Sequence, residues 1–194
     1  MLTTDAMTLR DASPDDAPAI AAIYAHHVLN GTASYDTEPP SVEHFAAKIR
    51  HVNGAGWPFL VAEAAGGLVT GYAYATQFRD RPAYAFTCEN SIYVHADWHG
   101  RGVGRKLLLT LIERAEAAGF RQMVAVIGGA EPASVRLHER CGFETVGRVH
   151  AAGWKKGRWL DSIYMQRALG AGSSTPPAPS RASSSRSRRR TARG

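Results

Sequence analysis

Cysteine is scarce in this sequence, with only Cys88 and Cys141 among 194 residues. Two cysteines without a C-x-x-C spacing form neither a zinc motif nor a disulfide framework, and we expect no metal site. Long apolar runs are also missing, since nothing approaches the ~20 residues of a membrane span. The first residues lack a basic segment followed by an apolar core, which is the pattern of a secretory signal. These absences favour a cytoplasmic protein.

Acidic side chains are absent from residues 170–194, which carry six arginines. Those arginines account for the whole formal charge of +6, so residues 1–169 are neutral. The segment has no aromatic and no large aliphatic residue, and it cannot bury enough apolar surface to offset the entropy of ordering. We predict one domain over residues 1–169 and a disordered Ser/Pro/Arg-rich tail over residues 170–194. Without aromatic residues to stack on bases, the tail is predicted to bind nucleic acid weakly at most.

Apolar periodicity divides residues 1–169 into helices and strands. The segments Ser13–Asp16 and Ser41 have the pattern of helix starts. A strand pair, PFLVAEAA and LVTGYAYATQF, flanks Gly66-Gly67, and a longer strand is predicted from Ala85 to His95. The remaining predicted elements are, in order, a helix, the strand MVAVIGG, the helix PASVRLHERCGF and the strand pair ETVGRV and WLDSIYMQRAL.

Glycine is concentrated in SIYVHADWHGRGVGRKLL, residues 91–108, where a strand leads through Gly100, Gly102 and Gly104 into a helix. Backbone N–H groups and the helix dipole converge at such a helix start and bind anions, and side chains would keep a phosphate away from them. Arg101 and Arg105 can add charged contacts. The segment matches neither G-x-x-x-x-G-K-S/T nor G-x-G-x-x-G. It predicts an anion site, with a tight turn that merely needs glycine as the alternative.

The segment HGRGVG, followed by a helix, VAVIGG and a helix ending in HERCGF, resembles the GCN5-related N-acetyltransferases, the GNAT family. Within that family, the chain is similar to the phosphinothricin and methionine sulfoximine acetyltransferases in the segments GTASYDTEP, RDRPAY, ENSIYV, VAVIGG, SVRLHERCGF and AAGWKKGRWLD. The resemblance covers residues 7–168. It implies an α/β (α+β) fold with a central mixed, mostly antiparallel sheet, which is splayed at the acetyl-CoA site and flanked by about four helices.

The resemblance also implies that acetyl-CoA is the co-substrate and that its pyrophosphate lies against the glycine loop. His99 stands where the family usually has Gln or Arg, and Glu131 stands where relatives often have Asn. The Val94 N–H is implied to point at the thioester oxygen as a one-donor oxyanion hole. The implied cofactor-binding residues are Ile92, Tyr93, Val94, His99, Gly100, Arg101, Gly102, Val103, Gly104, Arg105, Glu131 and Ser134.

Three residues are implied to be catalytic: Val94 through its N–H, Glu89 as general base with a pKa raised by burial, and His138. His138 is implied to protonate the leaving thiolate or to hydrogen-bond the CoA sulfur. Cys88 and Glu89 point to opposite faces of their strand, so direct transfer is favoured over an acyl-enzyme. A strand glutamate without a task and a packed helix histidine are the structural alternatives.

The acceptor is implied to be the α-amine of a small amino acid or analogue, such as phosphinothricin, methionine sulfoximine or methionine sulfone. Arginine pairs suit a carboxylate or phosphinate, although a surface salt bridge would also explain them. The implied acceptor-binding residues are Tyr35, Arg79, Arg81, Tyr84, Thr87 and Glu89. Relatives commonly form homodimers, and the resemblance extends to herbicide resistance.

Two other functions remain open at this stage. One is the same chemistry on another amine, such as a protein N-terminus, a polyamine or an antibiotic, although Arg79 and Arg81 disfavour a polyamine. The other is a non-enzymatic module that binds acetyl-CoA and reaches nucleic acid or a protein partner through the basic tail. Glu89 and RDRPAY disfavour that module.

Overall fold

The computed structural model of the chain describes residues 7–177 and contains seven β-strands and four α-helices in that range. The strands are β1 (Thr8–Asp11), β2 (Phe59–Ala64), β3 (Leu68–Gln77), β4 (Thr87–Val94), β5 (Gln122–Gly128), β6 (Glu144–Lys155) and β7 (Arg158–Ala168). The helices are α1 (Ala17–Asn30), α2 (Val42–Gly54), α3 (Val103–Ala117) and α4 (Pro132–Arg140). Among the described residues, no helix has the length and apolar character needed to cross a membrane.

The strands form a single sheet in the order β1-β2-β3-β4-β5-β7-β6. Every neighbouring pair is antiparallel except β4 and β5, which run parallel. That parallel pairing joins only residues 87–90 of β4 to residues 122–125 of β5. Beyond those residues the two strands part, and the sheet opens at its centre. The predicted mixed, mostly antiparallel sheet with a splay is therefore confirmed.

Helices cover both faces of the sheet because alternate strand residues are apolar on each side. On one face, Ile20 of α1 and the α2 residues Phe45 and Ile49 pack against Tyr72 of β3. On the other face, the α3 leucines pack against Ala73, Ala75 and Cys88. The leucines are 107, 108 and 111, spaced as one side of a helix requires. The two cores hold β4 between them.

The predicted helix starts are present, with one change at the first. Ser41 caps α2, where its hydroxyl oxygen accepts a hydrogen bond from the His44 N–H at 3.2 Å. The segment Pro14–Asp16 forms a 3₁₀ turn, and α1 begins at Ala17. Asp16 is held there by Arg10, whose guanidinium donates to it at 2.7 and 2.8 Å. The start of α1 is thereby tied to β1.

Three segments differ from the sequence prediction. Strand β1 was not predicted, because four residues give too short a pattern to separate a strand from a loop. Strand β6 continues through AAGWK to Lys155, with register shifts on either side of Val149 that an alternating pattern does not reveal. The chain still contacts the domain beyond the predicted boundary at residue 169, because the Arg121 guanidinium donates to the Thr175 carbonyl oxygen at 3.1 Å. The arginines of the predicted tail lie in residues 178–194, outside the described residues.

Candidate active site

A cavity runs through the sheet where β4 and β5 part. It has a volume of about 130 Å³ and is lined from one face by Glu89 and Tyr93 and from the other by Asn90 and His138. A larger cleft of about 620 Å³ adjoins it, and the two share residues Ala33, Ile92, Tyr93 and Ser134. The larger cleft lies against the start of α3 and the exposed side of α4. A molecule in the cleft can therefore reach Glu89 through the sheet.

The glycine loop forms one wall of the larger cleft, and its glycines are explained by two different constraints. Gly100 and Gly102 have φ angles of +74° and +79°, a region that side chains disfavour. Gly104 has no such angle, but a Cβ there would lie 3.3 Å from Leu137 of α4. Lys106 donates to the Gly102 carbonyl oxygen at 3.1 Å. The N–H groups of residues 103–105 therefore precede the first helical hydrogen bond and are available to an anion.

Some of the basic side chains near the glycine loop line the cleft, and one does not. Arg105, Arg136 and Arg140 line the cleft, and only the first was predicted. Arg101 instead stacks on the Trp98 ring, 4.9 Å from its centroid, and lies outside the cleft lining. Sequence spacing could have suggested the α4 pair, because residues 136 and 140 are four apart and share a helix face.

The two residues at the start of α4 that were predicted to bind the cofactor both line the cleft. Glu131 precedes the helix, and its side chain makes no capping hydrogen bond. Ser134 lines both cavities, and its carbonyl oxygen accepts a hydrogen bond from His138. Ser134 therefore links the two cavities through α4.

Beyond Asn90 the backbone of β4 no longer pairs with β5, and the sheet splays there. The His95 N–H donates to Thr70 of β3 at 2.9 Å, so the groups of Val94 point away from β3, toward the opening. The backbone groups of Ile92 also point away from β3, and the pairing of β4 with β5 has already ended at Asn90. The Val94 carbonyl oxygen accepts from His27 Nε2 at 2.9 Å and His99 Nε2 at 3.1 Å. His99 thus turns back to the strand rather than forward to the anion site.

Glu89 lies on the face of the sheet opposite α3, because it alternates with the buried Cys88 on β4. Burial raises the pKa of the Glu89 carboxyl, and the nearby Arg79 guanidinium partly opposes that rise. The Arg79 Nη1 to Glu89 Oε2 distance is 3.7 Å. Burial, opposed by a single cation, thus leaves a carboxyl whose pKa is raised, which is the direction that favours a proton acceptor.

His138 is 2% exposed, and both of its ring nitrogens are engaged within the protein. Its Nδ1 lies 2.8 Å from the Ser134 carbonyl oxygen, which can only accept, so Nδ1 carries the proton. Nε2 then accepts from the Asn90 amide at 2.9 Å. Burial also lowers the His138 pKa, which favours the neutral ring. In this geometry Nε2 is an acceptor, and the predicted roles of His138, to protonate the leaving thiolate or to hydrogen-bond the CoA sulfur, stay predictions.

The remaining acceptor-binding predictions fall on residues that do not line either cavity. The Tyr35 hydroxyl lies 3.0 Å from the Asp161 carbonyl oxygen and 2.9 Å from Ser162 Oγ, and it anchors its loop to β7. Tyr84 is exposed and packs on Phe78, while Arg81 is exposed beside it. Thr87 begins β4 on the face that carries Glu89. Only Arg79 of the predicted arginine pair contacts Glu89.

The loop of residues 31–35 closes one side of both cavities. The sequence feature that indicates its position is the pair of glycines that ends VAVIGG. A Cβ on Gly128 would lie 3.1 Å from the Ala33 carbonyl oxygen, and one on Gly129 would lie 2.6 Å from Thr32 Oγ1. The two glycines therefore let the loop cross directly over the end of β5. Thr32 and Ala33 line the larger cleft and were not predicted, and neither was His27.

Comparison with known proteins identifies this architecture. The model of the acetyltransferase (GNAT) domain matches residues 9–164. The chain belongs to the GNAT acetyltransferase family. This acetyltransferase is 50% identical over 173 residues to the phosphinothricin N-acetyltransferase of Alcaligenes faecalis, covering 89% of this chain and 87% of the relative. It is 41% identical to an L-methionine sulfoximine/L-methionine sulfone acetyltransferase of Pseudomonas paraeruginosa. That match covers 87% of this chain and 98% of the relative.

A solved structure supports the same assignment. The phosphinothricin acetyltransferase of Sinorhizobium meliloti, in complex with acetyl-CoA, superposes with a TM-score of 0.87 at 49% identity. The match covers 89% of this chain and 93% of that one. The predicted family, fold and enzyme class are thereby confirmed for this GNAT acetyltransferase.

Proposed function

We propose that this enzyme transfers the acetyl group of acetyl-CoA to the α-amine of a small amino acid or analogue. The class of acceptor comprises phosphinothricin, methionine sulfoximine and methionine sulfone. The observation that carries the proposal is the passage through the sheet, which connects the cleft at the α3 start with Glu89 on the opposite face. The relatives named for these acceptors, and the relative bound to acetyl-CoA, support it.

The cleft has the chemistry of a coenzyme A site. The N–H groups at the α3 start and the Arg105 guanidinium would hold the pyrophosphate, and Arg136 and Arg140 offer further cationic contacts. The unpaired Ile92 groups and the Val94 N–H would pair with the pantetheine arm and the thioester oxygen. An amide chain placed there extends the sheet in the gap that β5 leaves.

Direct transfer follows from this arrangement. The neutral amine nitrogen attacks the thioester carbonyl carbon, so a C–N bond forms and the oxygen gains charge, which the Val94 N–H stabilises. The C–S bond then breaks and coenzyme A leaves as its thiolate. Glu89 accepts the proton of the amine, directly or through one water. The thiolate takes a proton from solvent, because a thiol of pKa ~8.5 leaves without a dedicated acid.

The charge beside Glu89 selects the acceptor. Arg79 is half-exposed and makes only a 3.7 Å contact with Glu89, so its guanidinium can also bind a carboxylate or phosphinate. The acceptor amine would then lie at Glu89 and its anionic end at Arg79. A polyamine has no anionic end and would meet a cation instead, so it is a poor acceptor.

The first experiment measures acetyl-CoA-dependent thiol release with L-phosphinothricin, methionine sulfoximine and methionine sulfone. Spermidine and a short peptide are the comparison amines, and the chain truncated after Pro177 tests the tail. Turnover of the amino-acid analogues alone, unchanged by truncation, supports the proposal. Binding of acetyl-CoA without turnover of these three acceptors contradicts the substrate class, and loss of acetyl-CoA binding contradicts the cofactor.

We also propose a homodimer that forms through β6, the outer edge strand of the sheet. Trp154 of β6 and Trp159 of β7 pack edge to face at 5.4 Å and are 58% and 62% exposed, and Val146 and Val149 are exposed on β6. Such an apolar edge favours association with a second copy. Light scattering after gel filtration should give a dimer mass for the native chain and a monomer mass for Trp154→Ser/Trp159→Ser. A native monomer at micromolar concentration contradicts the proposal.

Three further assignments accompany the enzyme. We propose that it acts in the cytoplasm, because Cys88 and Cys141 are free and buried, as in proteins of reducing compartments. We propose that residues 1–169 are the catalytic domain and that the arginine-rich tail is not required for turnover. A cell that expresses the enzyme should then grow in phosphinothricin, and a cell that expresses Glu89→Gln should not.

A further inference from the structure

Lys155 at the end of β6 is buried although it carries a charge. The residue is 6% exposed, whereas its neighbour Lys156 is exposed. Among the described residues, the Lys155 ammonium donates one hydrogen bond, to the Ser34 carbonyl oxygen at 2.8 Å. Burial lowers the pKa of Lys155, Lys156 lowers it further, and Asp36 opposes both effects. Burying an ammonium costs free energy, so the contact with Ser34 is maintained against an opposing cost.

The same face of β6 makes a second contact with the 31–35 loop. Positions 153 and 155 lie on one side of the strand, because every second side chain points the same way. A Cβ on Gly153 would lie 3.1 Å from the Tyr35 ring, so glycine leaves room for that ring. The Tyr35 hydroxyl lies 2.9 Å from Ser162 Oγ of β7. Strands β6 and β7 therefore hold two consecutive loop residues, 34 and 35.

Helix α1 holds the same loop through Tyr24. The Tyr24 hydroxyl donates to Asp36 Oδ2 at 2.7 Å and lies 2.6 Å from Ser34 Oγ. Because the Tyr24 proton is directed at the carboxylate, the Ser34 hydroxyl is the donor in their contact. Ser34 Oγ also accepts a hydrogen bond from the Asp36 N–H at 3.1 Å. The side chain of Ser34 is thus engaged by α1, and its carbonyl oxygen is turned to Lys155.

The loop that these contacts hold has no helix or strand of its own. Thr32 and Ala33 line the larger cleft, and Ala33 also lines the passage that leads to Glu89. Both residues directly precede Ser34 in the chain, so a displacement of the Ser34 carbonyl would move them. The width of the passage therefore depends on the contacts made by Ser34.

We infer that Lys155 is a positioning residue that fixes the 31–35 loop beside the passage and thereby sets how tightly the acceptor binds. This role rests on the proposed function for the identity of the acceptor. Lys155 lines neither of the two cavities, and its ammonium acts through Ser34 and the two residues before it. A lysine that merely stabilised β6 would change the melting temperature and leave the acceptor KM unchanged.

Steady-state kinetics of the full chain with L-phosphinothricin at saturating acetyl-CoA test this role. Lys155→Met removes the ammonium from a side chain of similar length, and the acceptor KM should rise about tenfold. The Kd of coenzyme A, measured by calorimetric titration, should change by less than about twofold, because the anion wall at α3 is untouched. Lys156→Met makes the same chemical change at the exposed neighbour and should alter neither constant. Lys155→Arg keeps a donor and should recover most of the acceptor affinity.

A second pair of variants displaces the loop without removing the lysine. Gly153→Ala places a Cβ 3.1 Å from the Tyr35 ring and should raise the same KM. Gly147→Ala is the matched control on β6, since a Cβ there meets nothing within 4 Å. Neither glycine has a positive φ angle, so alanine strains the backbone at neither position. This pair decides the role of the contact if Lys155→Met does not fold.

The methyl signal of Ala33 in ¹³C–¹H correlation spectra reports the position of the loop without any turnover. It should shift or broaden in Lys155→Met and Gly153→Ala and stay in place in the two control variants. A native acceptor KM in folded Lys155→Met overturns the inference, and so does an equal weakening of coenzyme A binding. If the native chain turns over none of the three acceptors, the proposed function fails. The Ala33 signal then decides alone, and an unmoved signal in folded Lys155→Met overturns the positioning role.

Discussion

Arg79 and Glu89 face each other at 3.7 Å on the side of the sheet away from α3. Burial raises the Glu89 pKa and the Arg79 guanidinium lowers it, with burial the larger effect. The guanidinium is about half exposed, so its field is partly screened by water. In the proposed function, this pair supplies a proton acceptor beside a cation that binds the acceptor anion.

Replacing Glu89 with Gln should separate activity from stability. Turnover at pH 7.5 should fall by roughly 10²–10⁴-fold, the usual contribution of a general base. A carboxyl whose folded pKa is raised disfavours the fold once it ionises, so native stability should decline as pH rises through that pKa. The variant lacks this decline and should melt no lower than the native chain at pH 7.5. A marked loss of melting temperature would assign Glu89 a structural role instead.

Replacing Arg79 with Gln should alter both the pH profile and the acceptor KM. Without the cation the Glu89 pKa rises further, so the acidic limb of kcat/KM should move to higher pH. The KM for L-phosphinothricin should increase about tenfold through loss of a charged hydrogen bond. Arg81→Gln is the matched control, since Arg81 is exposed and its side chain does not contact Glu89. Equal effects of the two substitutions would point to general electrostatic attraction.

The sequence predicted the structure best where a local pattern of residues has a single structural explanation. The glycines of HGRGVG predicted a backbone anion site, and in the structure Gly100 and Gly102 have positive φ angles at the start of α3. The alternation of Cys88 and Glu89 on a strand predicted that they point to opposite faces, and in the structure Cys88 packs in the core beside α3 while Glu89 lies on the other face. Such features are local, so a single stretch of sequence carries them.

Contacts between residues far apart in the chain could not be predicted from the sequence. No role was predicted for His27, and its bond to Val94 depends on how α1 crosses β4. Tyr35 was placed with the acceptor because of its loop, but its hydroxyl reaches β7, which begins 123 residues later in the chain. His138 matched a helix motif, while the partner of its Nε2 is Asn90 on another element. Packing between distant segments decides each of these.

The glycine loop offers a matched pair of substitutions. Gly102 and Gly157 have φ angles of +79° and +71°, and a Cβ at either position meets nothing within 4 Å. Alanine should therefore destabilise the fold by about 1–2 kcal/mol at both positions, since only the backbone angle is strained. Gly102→Ala should also raise the KM for acetyl-CoA, because Gly102 lines the cleft at the start of α3, whereas Gly157 does not. An equal KM for the two variants would remove Gly102 from the cofactor site.

The buried histidines should make the fold less stable in acid. Burial lowers the pKa of His27 and His138, so these rings resist protonation in the folded state. In the unfolded chain they take up protons near pH 6.5, which favours unfolding below that pH. The melting temperature should thus fall between pH 7.5 and pH 5.5, and His138→Gln should reduce that fall. His44→Gln, at an exposed site on α2, is the matched control for loss of an imidazole.

Asn90 should prove to be a positioning residue for His138. Its amide nitrogen donates to His138 Nε2 at 2.9 Å, and its side-chain oxygen is buried without a partner among the described residues. Asn90→Leu removes that donor and should cost about 1–3 kcal/mol of stability, because Nε2 is left buried and unpaired. It should also let the His138 ring rotate, and kcat should fall more than the KM for acetyl-CoA rises.

A proton-donor role for His138 leads to the opposite result. Asn90→Leu would then free Nε2 to take up and release a proton, and kcat would rise or acquire a new pH dependence near the histidine pKa. The pH profile of Asn90→Leu therefore distinguishes a histidine that orients the site from one that protonates the thiolate. Asn90→Asp separates hydrogen bonding from charge, since a carboxylate would raise the His138 pKa and favour the imidazolium. If Asn90→Asp turns over faster in acid than the native chain, His138 acts as the acid.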